Sequence, residues 1–218
     1  MITVGNDEAV VEEDLFRGEL SCPLCGGTLG GHGWAVLRSV FGARGLEPAP
    51  GLAGREPAKT EERPRRGRCR SCGATHVLLP ARLLSRRCDS TAVIGDMIVR
   101  AATGQGPERI SDETGVPEGT ARDRLGRFRA HAGRVRAFFT ALAGALSPDP
   151  VPLDPAGRTG LADAAAAVGA AFAAAAGRWA ALAVTGWEFA AVQTRGSLLS
   201  PVVAFRAFRG DAMASGPF

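Results

Sequence analysis

Two kinds of apolar spacing divide the chain. Trp34, Val36 and Arg38 alternate with Ala35, Leu37 and Ser39, a brief period-two pattern that suits a strand. Thr75, His76, Val77, Leu78 and Leu79 predict another strand, ended by Pro80. Between them, positions 42–67 are rich in Gly, Pro and charge, which predicts an exposed, mobile loop. From Thr91 onward the period becomes helical. Ile94, Met97, Ile98 and Ala101 lie one turn apart, and Gly104, Gln105 and Gly106 stop that helix. Pro107, a favoured first-turn residue, opens a second helix that runs to Thr114. Gly115, Val116 and Pro117 turn the chain. A third helix then carries Leu125 and Phe128 inward and continues or bends into Val135, Phe138, Phe139 and Leu142.

Positions 147–155 hold Pro148, Pro150, Pro152 and Pro155 and predict a linker. Positions 161–192 are mostly alanine, with Phe172, Trp179, Leu182, Trp187 and Phe189 as the large apolar groups. The apolar run 164–177 is shorter than the roughly 20 residues a bilayer needs, and Arg178 interrupts it. The expectation is therefore two soluble helices, packed on each other or on a partner, with no membrane contact. The predicted fold is mainly α. It comprises an acidic segment 1–20, a small β unit 21–80, helices over 89–146, the linker 147–155, an alanine-rich helical segment 156–195 and a tail 196–218.

Composition excludes some classes. With 218 residues, 45% of them hydrophobic, the chain is neither a disordered tail nor a collagen-like repeat nor a disulfide scaffold. The net charge of +4 hides a gradient: about −5 over 1–20, about +7 over 60–136, and near zero beyond. A basic centre of this kind points to a polyanionic partner. The first twenty residues are acidic and lack the apolar core of a secretory leader, so the cytoplasm is the expected compartment and the five cysteines are expected as thiols.

Four of those thiols are patterned. Cys22 and Cys25, and again Cys69 and Cys72, are separated by two residues, and a glycine follows each pair. This spacing lets both sulfurs reach one ion while the turn amides point at the thiolates. Four thiolates fill a tetrahedral shell, which predicts one structural Zn2+ per chain with no open position for catalysis. A shell substituted by His32 or His76 is the alternative. About 43 residues separate the pairs, more than the usual 15 to 20; loop closure cost grows only logarithmically, so the insertion is tolerable. Cys88 is expected to be a buried free thiol.

The second and third helices, with Gly115 between them and Ile110, Val116, Ala121 and Leu125 as their apolar contacts, have the spacing of a helix-turn-helix. Near the N-terminus of the second helix of that pair, Glu118, Gly119, Arg122 and Asp123 would face base edges, with Arg122 the best guanine reader. Arg124, Arg127, Arg129, Arg134 and Arg136, with Thr120, would face phosphates. Arg124 stands where an apolar residue is usual and is expected to snorkel outward.

Taken together, the two cysteine pairs, Gly31-His32-Gly33, Leu78-Leu79-Pro80 and the Gly115 turn resemble the zinc-ribbon plus helix-turn-helix proteins found at the N-terminus of insertion-sequence transposases and in related stand-alone proteins. The resemblance covers roughly residues 20 to 140. It implies a sequence-specific binder of double-stranded DNA, transposase-related or a transcription regulator, with zinc holding the N-terminal unit. The nuclease of such transposases needs an acidic triad on a ribonuclease-H-like fold. From Asp154 onward the only acids are Asp154, Asp163, Glu188 and Asp211, so no enzyme is expected. Dimerisation through the C-terminal helices and a non-DNA-binding adaptor for a transposase or polymerase remain open.

Overall fold

The computed structural model describes residues 1–42, 59–147, 149, 159–179, 182 and 184–205. The centre of the expected loop, nearly all of the linker and the last residues of the tail lie outside them.

The first eighty residues build a four-stranded sheet with one helix on it. β1 (Ile2–Val4) leads into α1 (Glu8–Arg17), followed by β2 (Leu29–Trp34), β3 (Arg38–Phe41), β4 (Lys59–Glu62), β5 (Arg65–Cys69) and β6 (Thr75–Pro80). The sheet order is β1-β6-β5-β2, with β1 parallel to β6 and the other pairs antiparallel. Asp7 starts α1 by accepting hydrogen bonds from the Ala9 and Val10 amides. Val11 and Leu15, four residues apart, then bury one face of the helix with Val4, Leu29, Leu78, Cys22 and Cys69. The acidic segment is thus a folded part of the unit, with Glu12 turned to the sheet and paired with Arg65.

Two strand expectations change. The alternation from Trp34 to Ser39 is not one strand: β2 ends at Trp34 and β3 begins at Arg38, with Val36 exposed between them. The segment 42–67 is not wholly loop either, since β4 and the start of β5 occupy its second half. β4 pairs antiparallel with β3, so the insertion between the cysteine pairs contains a two-stranded antiparallel ladder. Neither β4 nor β5 carries apolar alternation; pairing with neighbours, not sequence pattern, makes them strands.

The helices are α2 (Thr91–Ala102), α3 (Pro107–Thr114), α4 (Glu118–Leu146), α5 (Gly160–Arg178) and α6 (Gly186–Gln193). Six helices among the described residues make the chain mainly α. α4 is one continuous helix of 29 residues. Its buried positions Ala121, Leu125, Phe128, Ala132, Val135, Phe139, Leu142 and Leu146 alternate in steps of four and three, the spacing of a coiled-coil seam. α5 answers with Leu161, Ala164, Val168, Ala171 and Ala175 in steps of three and four, and its small side chains let the two helices approach closely. α5 is long and apolar enough to cross a bilayer by length and hydropathy, 1.4 over its best window. One such helix is weak evidence for a span, and its apolar stripe faces α4 while Asp163 pairs with Arg136 at 3.3 Å.

Phe128, Phe139 and Phe189 centre the helical core, and Trp187 meets the Phe128 ring edge-on, with centroids 6.2 Å apart. Trp187 needs Gly95 on α2: an added Cβ there would lie 2.1 Å from Trp187 Cδ1. Gly95→Ala should therefore destabilise the protein by about 1–3 kcal/mol in urea unfolding, although alanine is the better helix former.

The two units touch. Asn6 donates to Glu188 at 2.7 Å, and the Ser85 amide donates to the Gly196 carbonyl at 2.8 Å. In the connector, Cys88 is exposed rather than buried. Its carbonyl accepts from Phe41, holding the backbone to β3 while its side chain stays at the surface.

Candidate functional site

The two cysteine turns have the same backbone. Gly26 and Gly73 donate to the carbonyls of Cys22 and Cys69 at 2.8 and 3.1 Å, and Cys22 and Cys69 donate back to Gly27 and Ala74 at 2.7 and 2.8 Å. Closing each turn needs φ of +73° at Gly26 and +72° at Gly73, which glycine adopts without strain. The Arg70 amide, donating to the Thr28 carbonyl at 2.9 Å, ties one turn to the other.

All four Sγ atoms consequently lie within 4.8 Å of one another, with Cys22 to Cys72 at 3.8 Å and Cys25 to Cys69 at 3.5 Å. A tetrahedron of metal–sulfur bonds of about 2.3 Å has edges of about 3.8 Å. The four sulfurs fit one metal ion. As free thiols they would titrate unevenly. The Cys72 and Ser71 amides draw Cys69 down to about 6 against the cost of its desolvation. At Cys25 the Gly27 amide pulls downward but is outweighed by the neighbouring sulfurs of Cys72 and Cys69, and the thiol is pushed up to about 12. A metal must displace protons here, so its affinity falls as pH falls.

Neither histidine completes the cluster. His32 is exposed on β2. His76 is buried on β6 with Nε2 3.3 Å from Cys22 Sγ, placed to support the sulfur rather than replace it. Burial, and then the N-terminal ammonium 3.3 Å from Nδ1, lower its pKa and favour the neutral ring. This role was foreshadowed only by alternation in the strand Thr75–Pro80, which puts His76 and Leu78 on one face.

On the helical side, Ile110, Val116, Ala121 and Leu125 are buried together, and Gly115 ends α3 with φ +70°. Arg122 is 67% exposed and pairs with Glu118 one turn earlier. Asp123 binds Arg127 at 2.9 Å, which holds the Asp123 carboxyl below its ordinary range. Gly119 and Arg129 are exposed, and Thr120 is half-buried. Three of the expected phosphate contacts point elsewhere. Arg124 does not snorkel: its side chain is 13% exposed and binds the buried Asp89 at 2.9 Å and Asp123 at 2.7 Å. Arg134 donates to the Val203 carbonyl at 3.3 Å, and Arg136 is paired with Asp163. Arg87 was not anticipated; it faces Arg124 and Arg127 and donates to the Leu199 carbonyl at 3.0 Å.

α4 also carries a repeat. Gly119, Gly126 and Gly133 recur every seven residues on the face away from the core, and Arg122, Arg129 and Arg136 recur every seven beside the buried seam. An added Cβ at any of these glycines would meet nothing within 4 Å, so packing among the described residues does not explain them.

No family model matches the chain, and comparison with curated proteins and with solved structures found no match.

Proposed function

We propose that this chain is a zinc-stabilised, sequence-specific DNA-binding protein of the cytoplasm without a catalytic centre, either transposase-related or a transcription regulator. The four-thiolate set suits Zn2+ above harder cations, and a filled tetrahedral shell is structural. The observation that carries the DNA reading is the short α3, the Gly115 turn and the exposed beginning of α4, the arrangement by which a helix-turn-helix offers its second helix to a major groove. Arg122 is the base reader and Arg127 and Arg129 are phosphate contacts. The unobstructed glycines on the outer face of α4 let a duplex approach the helix backbone, at a cost of about 1 kcal/mol each in helix propensity.

Selection from a random duplex pool should yield a preferred site. Arg122→Ala should then lose about 1–3 kcal/mol of discrimination at one base pair while retaining non-specific binding. Enrichment of no sequence would refute base reading. A second reading, an adaptor that docks on another protein, is favoured by the exposed Phe16, Leu24 and Val36 of the N-terminal unit, 89%, 73% and 87% accessible.

A further inference from the structure

The sheet carries α1 on one face and arginines on the other. Leu15 Cδ2 lies 3.6 Å from where a Cβ on Gly67 would be, so Arg65, Gly67 and Cys69 point toward α1. There the acidic helix meets them, and Arg65 pairs with Glu12. Arg66 and Arg68 must then point the other way, and Arg70, in the turn after β5, lies over Gly30 on that same side. Their neighbours on that outer face are Val77 and Thr75, opposite Arg66 and Arg68 on β6, and Gly30, opposite Arg68 on β2. Among the described residues the face holds no carboxylate, and none of the three arginines has an ion pair. On α4, by contrast, Arg122, Arg124, Arg127 and Arg136 are each paired with an acid.

The surface is also shaped. Gly30, Gly31, His32, Arg68, Arg70 and Gly73 line an open groove of about 430 Å³. Its floor is β2, where the absence of a side chain at Gly30 lets the Arg70 guanidinium lie over the strand: a Cβ on Gly30 would come 3.2 Å from Arg70 Nε. Arg68 Nε donates to the Gly73 carbonyl at 3.2 Å, which fixes that guanidinium beside the cysteine turn. Alternate residues of a strand recur about every 6.7 Å, a spacing of the same order as that of successive phosphates along a nucleic-acid strand.

We infer that this outer sheet face is a second contact of the protein with duplex DNA, in which Arg66, Arg68 and Arg70 bind successive backbone phosphates, Arg70 from its place over Gly30. The inference rests on the DNA-binding reading and extends it: α4 supplies sequence discrimination, and the sheet supplies a sequence-independent, salt-sensitive share of the affinity.

The test is a salt titration of binding to a fixed duplex by fluorescence anisotropy, using full-length wild type, Arg68→Ala/Arg70→Ala, and Arg66→Ala/Arg70→Ala. The last pair spares the contact to Gly73. Each double variant should lower the slope of log K against log[salt] by about 2 and leave base preference and bound metal unchanged. Arg66→Lys/Arg70→Lys should retain the wild-type slope. Wild-type slopes in both alanine variants, or loss of slope in the lysine variant, would overturn the sheet contact while leaving the α4 reading standing. Wild type that binds no duplex at low salt would overturn both.

Discussion

Arg124→Ala is expected to be among the most destabilising single changes on α4, costing about 3–5 kcal/mol. Asp89 precedes the Ser90 cap of α2, and its side chain is only 5% exposed; Arg124 is its ion-pair partner across the interface between α4 and the start of α2. Removing the guanidinium strands a buried carboxylate without its counter-charge. Arg122→Ala, two residues earlier, removes a mostly exposed pair and should change stability by no more than about 0.5 kcal/mol. Urea unfolding of both variants reads the contrast. Replacing both Asp89 and Arg124 with apolar residues of similar size should recover much of the loss, because no unpaired charge then remains. If Arg124→Ala instead matches wild type in stability and fails only in DNA binding, the guanidinium is a phosphate contact and its placement here is wrong.

Loss of the metal should have a second large effect, confined to one half of the molecule. The N-terminal core consists of Val4, Val11, Leu15, Cys22, Leu29, Cys69 and Leu78, and two of these seven are cysteines of the cluster. So small a core does not hold a fold without a staple. The helical core around Phe128, Phe139 and Phe189 shares none of those residues. Chelation, or Cys69→Ser, should release about one equivalent of zinc and expose the first eighty residues to protease. Most of the far-ultraviolet helical signal should persist, since α1 alone among the helices belongs to the unfolding unit. Lower pH should release the ion in the same way, because protons compete for the thiolates. Retention of full zinc by Cys69→Ser would contradict the assignment.

What could be read from the sequence depended on how local the cause was. The four cysteines were legible because their spacing is itself the geometry, and α2 and α3 because the apolar period from Ile94 to Ala101 and the breaks at Gly104, Pro107 and Gly115 mark them within the chain. β1 was not legible. Its three residues are a strand only because β6, over seventy residues later, accepts them in parallel. β5 reads as a charged loop until β2 and β6 flank it, and only then does the alternation of Arg66 and Arg68 acquire a meaning. Arg124 was misplaced for the same reason, its partner Asp89 lying 35 positions away. The seven-residue recurrence of glycine and arginine along α4 was present in the sequence but became visible only once the helix proved continuous.

The dependence of duplex binding on salt tests the account most directly. With exposed arginines on both the sheet and the start of α4 contacting phosphates, log K for wild type should fall with log[salt] at a slope of about −4 to −5. A flat dependence, or no retention of duplex at low salt, would contradict it.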